Sequence, residues 1–248
     1  MKKIRGRQST GKSFWDDEYG KSGEPRGRAS AHLAISIQPS EDLEKFTRWM
    51  EREHGREYLN PISSVLDVGC GNGRNLIYLA KEYGMRGVGY DISDQAISLA
   101  KRQRDQGGQK LPLVLIARSI AEPFPLPDAS QALVLDMMVS HFLNKEQRKK
   151  LLDEIARVLK PGGWFFLKTF LRDGDTHVER LIEEYPAPEE GSYIHPEIGV
   201  SEHVFSEEEI LDDLAPYFSV HKITKSHRHK ANTGAKRRSM SIYAQKIG

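Results

Sequence analysis

Residues 65–73 read Val-Leu-Asp-Val-Gly-Cys-Gly-Asn-Gly, and no other stretch restricts the fold as much. An apolar run with one acid inside it delivers the backbone into three glycines, and residues 74–82 follow at once with helical spacing. A strand, a glycine turn and a helix in direct succession open a parallel β-α-β unit. Glycines let the backbone approach a ligand, and the helix N-terminus offers unpaired N–H groups to a carboxylate. Asp67 adds a negative charge beside the loop. A ligand with both an ammonium and a carboxylate, such as an amino acid, suits this pairing.

The same alternation continues along the chain. Residues 64–68, 87–90, 111–117, 132–136 and 164–170 read as strands, the last apolar enough to be buried on both faces. Ser93 caps a helix running to about residue 104. Asn144 caps another, with Leu151, Leu152, Ile155, Val158 and Leu159 on its buried face and Pro161-Gly162-Gly163 as its stop. Upstream, Ser40 opens a helical pattern through Leu43, Phe46 and Met50. Residues 171–205 break the rhythm and read as an insertion. Ser206 to Glu209 then form a capping box, with Phe205 and Ile210 as its hydrophobic staple, for a helix to about residue 215. Residues 218–224 and 239–244 close the chain as two strands joined by a turn at Asn232-Thr233-Gly234.

These elements predict an α/β fold: a Rossmann-like, doubly wound, seven-stranded and mostly parallel sheet, its last strand antiparallel, with helices on both faces. Residues 40–248 form a single domain with the insertion on the substrate side, after a basic N-terminal segment, 1–39. Ligands of such sheets lie beyond the carboxyl ends of the strands. The loops after Val68, Tyr90, Ala117, Asp136 and Phe170 therefore share one rim with the basic loop 226–237.

Asp91, at the end of the second strand, can accept hydrogen bonds from two ribose hydroxyls. A glycine loop and an acid about twenty residues on also mark dinucleotide sites. The glycine spacing separates the two, because the third glycine comes one residue earlier than in G-x-G-x-x-G. No tyrosine has a lysine four residues later, as a short-chain dehydrogenase would need. Residues 6–13 match the P-loop pattern G-x-x-x-x-G-K-[ST], but only five residues precede them, too few for the buried strand that the motif requires. The single cysteine, Cys70, excludes an internal disulfide, and no metal site is expected. No apolar run approaches a membrane span, and the basic start lacks an apolar stretch behind it, so a cytoplasmic location is expected, with no membrane partner.

With these residues in place, the chain resembles the class I S-adenosylmethionine-dependent methyltransferases. VLDVGCGNGRNLIYLA, GVGYDIS, AEPFPLPDAS and LLDEIARVLKPGGWFFLKTF carry the resemblance over about residues 60–170. It implies S-adenosylmethionine as cofactor and S-adenosylhomocysteine as product. It implies Asp67, Gly69, Cys70, Gly71, Gly73 and Asn75 around the methionine part, Asp91 on the ribose and Ile92 on the adenine. Ser119, Ile120 and Ala121 fall at the adenine edge, where many members carry an acid; a backbone carbonyl or Glu122 then makes that contact. Asp136 and Met137 fall beside the sulfonium. Asp136-Met137-Met138-Val139 stands where amino-group methyltransferases carry Asn-Pro-Pro-Tyr, which argues against adenine-N6 and glutamine acceptors.

The acceptor is less legible. His141, Tyr193, His195 and His203 are rim residues able to move a proton. Phe14, Trp15 and Tyr19 stand out in the polar N-terminal segment and suit a lid. Eight Lys or Arg and no acid lie in residues 221–248, and twelve acids with one arginine lie in residues 179–213. The basic end, with Arg228, Lys230, Lys236, Arg237 and Arg238, suits RNA phosphates; the acidic stretch would repel a long polyanion. A small-molecule or anionic substrate, or the two charged segments packing on each other, reconciles both. A small molecule ranks first, RNA or a ribosome-associated substrate second, protein third, and a catalytically silent binding module is the remaining alternative. Monomer and homodimer are both compatible with the sequence.

Overall fold

Glycines and polar cap residues cut the chain into alternating strands and helices, and the computed structural model describes residues 11–20, 36–106, 108, 110–226 and 237–248. After α1 (Gly11–Gly20) and α2 (Glu41–His54) come β1 (Ser64–Val68), α3 (Arg74–Tyr83), β2 (Arg86–Asp91), α4 (Asp94–Asp105), β3 (Leu113–Ala117) and β4 (Gln131–Met137). A 3-10 turn (Ser140–Phe142), α5 (Lys145–Val158) and β5 (Leu159–Phe170) follow. The chain closes with α6 (Thr176–Glu184), β6 (Ser192–Ile194), β7 (Ser201–His203), α7 (Glu207–Leu214), β8 (Phe218–Lys225) and β9 (Ser239–Lys246).

The large sheet runs β3-β2-β1-β4-β5-β9-β8. Its first five strands are parallel, and β9 lies antiparallel between β5 and β8. This is the expected seven-stranded sheet with an antiparallel last strand. The strands alternate between two cores. Leu133 and Leu135 of β4 face α2, α3 and α4 with Leu43, Phe46, Leu76, Leu79 and Ile97. Val134, one residue out of phase, joins the opposite core with Ile155 of α5 and Ile210 and Leu214 of α7. Each such aliphatic side chain contributes roughly 1.5–3 kcal/mol on full burial. The order of strands reverses at β1, and that switch point opens the cleft at their carboxyl ends.

Several local expectations change. The Ser40 hydroxyl makes no cap; its N–H instead donates to Asn75 Oδ1 at 3.0 Å, tying α2 to α3. Asn144 and Gln147 form a reciprocal capping box at α5. Ser206 caps the Glu209 N–H at 3.1 Å, but the Glu209 carboxylate turns to His203, so only half of the expected box forms. Helix α5 stops at Val158, before Pro161-Gly162-Gly163, and Leu159 begins the next strand. Strand β3 starts at Leu113, two residues late, with Val114 and Ile116 exposed.

The stretch 171–205 is structured. Helix α6 and the antiparallel pair β6–β7 build a small core of Val178, Leu181, Tyr193 and Val204. Arg148 of α5 pairs with Glu189 and donates to the Leu143 carbonyl at 2.7 Å, which fastens the stretch to the main body. The two oppositely charged segments meet each other: Lys225 pairs with Glu207 and Arg237 with Glu202. Residues 227–236, including Arg228, Lys230, Lys236 and the turn at Asn232-Thr233-Gly234, lie outside the described residues, as do residues 6–10 of the P-loop-like stretch. Among the described residues, no helix is long and apolar enough to cross a membrane.

Candidate active site

A cavity of about 650 Å³ opens at the carboxyl ends of β1, β2, β4 and β5, within the range of about 300–1,000 Å³ typical of small-molecule sites. Its floor is the glycine loop. Gly69 and Cys70 donate their N–H groups to the Tyr90 carbonyl at 2.7 and 2.8 Å, which locks the loop to the end of β2. Gly69 has φ +75°, and a Cβ there would lie 2.4 Å from Val139, so only glycine fits. Asp91 holds the loop from the other side. Its carboxylate accepts from Gly71 N–H and Ser93 N–H, both at 2.9 Å, and it still lines the cavity. Burial raises its carboxyl above the ordinary value despite those two N–H groups.

Of the residues implied for the cofactor, Gly69, Cys70, Gly71, Asn75, Asp91, Ile92, Ser119, Ile120, Ala121 and Met137 line the cavity. Three do not. Gly73 turns away to cap α3, where a Cβ would meet Ala100 at 3.0 Å. Asp136 faces the opposite side of the sheet, by Arg148 and Phe205, and caps the 3-10 turn by accepting from Val139 and Ser140 N–H at 3.2 Å; β-strand alternation sends its neighbour Met137 to the cavity instead. Asp67 lies beneath the loop, 1% exposed, and neither oxygen has a partner among the described residues. Burial, with Asp136 and Asp91 nearby, pushes its carboxyl up to about 8. A carboxyl so raised takes up its negative charge most readily when a cation faces it. Glu122, the alternative adenine contact, pairs with Arg118 at 3.3 Å.

The N-terminal aromatics reach the site. Helix α1 lies on α4 through Lys12–Asp94 at 2.7 Å and a Ser93 Oγ to Asp16 bond at 2.8 Å. Phe14, Trp15, Glu18 and Tyr19 all line the cavity. The Tyr19 hydroxyl covers Gly71, where a Cβ would lie 2.5 Å from it.

The far wall separates the proton-moving candidates. His141 lines the cavity, 2% exposed, with both ring nitrogens unpaired among the described residues. Burial pulls its pKa down to about 4, so it is neutral at pH 7. His195 lines the same wall. Tyr193 does not: its hydroxyl donates to Glu202 at 2.6 Å and accepts from Arg237 at 2.5 Å, one layer behind. His203 is spent on Ser192 Oγ at 2.9 Å and Glu209 at 2.8 Å, a structural role. Arg238 is no phosphate contact either; it is buried against the Asp173 carbonyl, and its N–H donates to Asp175 at 2.6 Å. Arg237 lies inside the cavity, paired with Glu202 and stacked 3.6 Å over Phe170. Burial would raise the Glu202 carboxyl, but Arg237 and His141 outweigh it and the group stays below its ordinary value.

Sequence reasoning missed Glu202, Lys168, Phe142, Phe170, Ile198 and Val200 on this wall. Each reads as a surface charge or a core apolar residue. It also missed Met138, whose φ of +69° strains a non-glycine backbone. The signal was present in Phe170, at the expected strand end, but charges that pair across 35 positions leave no local trace. Among the described residues no cluster could hold a metal ion.

Residues 65–163 match the family model of a methyltransferase domain. A tRNA (carboxymethyluridine(34)-5-O)-methyltransferase of Arabidopsis thaliana is 30% identical over 53% of this chain and 30% of its own. A fatty-acid O-methyltransferase of Mycolicibacterium smegmatis is 27% identical over 54% of this chain and 46% of its own. The chain thus spans about half, or less, of the length of the curated relatives it matches. The crystal structure of an S-adenosylmethionine-dependent methyltransferase from Methanosarcina mazei superposes with a TM-score of 0.65 at 26% identity, covering 77% of this chain and 96% of that one. Sheet order, glycine loop and sequence agree, and residues 65–163 carry a methyltransferase domain of the class I, Rossmann-like, S-adenosylmethionine-dependent type.

Proposed function

We propose that the chain transfers a methyl group from S-adenosylmethionine to a small molecule held at the far wall of the cavity. The observation that carries this reading is the buried Asp67 carboxyl, without a partner among the described residues, beneath a glycine loop whose other side is fixed by Asp91. The residues fit the cofactor. Asp67 lacks a cation among the described residues, the φ-positive glycines let the backbone approach a ligand closely, and Asp91 lines the cavity as an acceptor for a ribose. When bound, the cofactor supplies a methyl group already activated on a sulfonium.

The protein's own part is alignment and exclusion of water. Asp67 answers the ligand's positive charge from below. Asp91 orients the sugar, with Ile92 and Ser119 to Ala121 bounding the base. Helix α1 acts as a lid over the loop, with Tyr19 on Gly71 and Trp15 at the mouth. We assign to His141, neutral and without a partner among the described residues, the role of taking a proton from the acceptor. His195 is a second polar contact on that wall.

A small acceptor is favoured because the wall lies behind α1 and the β6–β7 pair, and because two of the arginines at the basic end are occupied internally. An RNA acceptor is the second reading. The Arabidopsis relative is named for a tRNA substrate, and residues 227–236 hold further basic groups. Calorimetry with S-adenosylmethionine and S-adenosylhomocysteine tests the donor: binding of both is expected, with a loss of at least tenfold in Asp91→Ala, and no binding of either would overturn the reading. Labelled methyl transfer into cell extract, split by nuclease and protease, separates the acceptors.

A further inference from the structure

The acceptor end of the cavity combines one unsatisfied base, aromatic rings and charges that are paired with each other. A buried imidazole with no hydrogen-bond partner costs free energy, so its donor and acceptor await a polar group from outside the chain. Around His141 the surfaces are aromatic. Its ring lies 4.1 Å from Phe142 and 5.0 Å from Phe170, centroid to centroid. Trp15 meets Phe142 edge-on at 4.9 Å, and Phe14 meets Trp15 at the same distance. Rings so arranged select a planar ligand, which they bury and orient.

The charges at this end are already paired. Arg237 holds Glu202, and Lys168 holds Asp42. Arg74 also lines the cavity, but it stands at the start of α3 beside the glycine loop, at the cofactor end. An anionic acceptor would bring its charge beside Glu202 and find both nearby cations occupied. A cationic one would have to compete with Arg237 for the same carboxylate. An uncharged ligand meets neither cost.

We propose that the acceptor is an uncharged, planar molecule bearing a phenolic or enolic hydroxyl, and that His141 takes that hydroxyl's proton; this rests on the methyl-transfer reading above. A carboxylic acid is ionised at neutral pH and has no proton to give, and an aliphatic amine is an ammonium there. A phenol, with an ordinary pKa of about 10, stays neutral and must lose a proton to react. The hydroxyl oxygen forms its bond to the methyl carbon, the carbon–sulfur bond breaks with its electron pair left on the donor's sulfur, and the proton passes to His141 and then to solvent. The hydroxyl proton becomes strongly acidic as the oxygen–carbon bond forms, so a weakly basic imidazole suffices.

The test uses the full chain saturated with S-adenosylhomocysteine and three probes of one shape: 2-naphthol, 2-naphthoate and 2-naphthylmethylammonium, titrated by calorimetry. The expected order is 2-naphthol tighter than either charged probe by about tenfold. His141→Phe lowers the 2-naphthol affinity several-fold, His141→Gln, which keeps a hydrogen-bond acceptor, retains most of it, and circular dichroism spectra and melting temperatures close to the parent's show that both variants are folded. Equal or tighter binding of a charged probe, no binding of any probe at millimolar concentration, or an unchanged 2-naphthol affinity in His141→Phe overturns the proposal. Failure of S-adenosylhomocysteine to bind the parent chain strikes the donor reading instead, and it is seen before any probe is added.

Discussion

Asp67 stands without a partner in a place where charge is expensive. Its carboxyl, raised to about 8, holds a proton in the folded, ligand-free chain at pH 7, whereas an unfolded aspartate is ionised. The folded state therefore binds more protons than the unfolded one between about pH 4 and pH 8, and stability falls as pH rises through that window. Asp67→Asn removes the titration. Its melting temperature should exceed the parent's by several degrees at pH 8 and by less at pH 5, read by calorimetric scans. A cationic ligand needs the carboxylate, so S-adenosylmethionine affinity in the parent should weaken by up to about tenfold per unit as pH drops below 8. The Asn variant should bind weakly with a flat profile. Gly69→Ala acts through geometry. Its Cβ would meet Val139 at 2.4 Å on a φ of +75°, so a loss of about 1–3 kcal/mol in stability is expected from thermal or urea unfolding, with weaker cofactor binding. These two residues were visible in the sequence because their roles are local: a strand end and a turn. Arg237 was misread as a surface cation because its partner lies 35 positions away.

Among the elements, the five parallel strands were legible because apolar runs and glycine stops repeat over short distances. Helix α1 was not. Gly11–Gly20 has a weakly apolar sequence with glycine at both ends, and its docking depends on Asp16 and Lys12 reaching α4. The strands β6 and β7, three residues each, are too short to show a period. Ser93 links α1 to the body: it caps α4 through the Ala96 N–H at 3.1 Å and donates to Asp16. Asp16→Ala cuts that link and leaves the cap. Its melting temperature should match the parent's closely, while the dissociation rate of S-adenosylhomocysteine, measured by stopped-flow displacement, should rise several-fold. An unchanged rate would show that α1 is not a lid.

At the scale of the whole molecule, the segregated charges of the sequence become internal pairs. Glu207 meets Lys225, Glu202 meets Arg237, and Arg238 is buried. The basic surface left for a polyanion is therefore smaller than the count of cations implies. Binding of a single-stranded RNA 20-mer, measured from about 50 to 200 mM salt, should be weak, with a shallow slope in a double-logarithmic plot. A steep slope with tight binding would favour the RNA reading. The cavity itself is assembled from two sources. The floor comes from residues 69–72, 74–75, 91–92 and 119–121, all within residues 65–163. Trp15, Phe170, Ile198, Glu202 and Arg237 come from before or after residues 65–163. Kinship measured over the shared stretch consequently reports on the floor and on His141 and Phe142, and is silent on the rest of the acceptor wall. Relatives with the same floor can therefore differ in what they modify, and exchanging residues 11–20 and 192–205 against those of a relative tests whether the acceptor follows the wall.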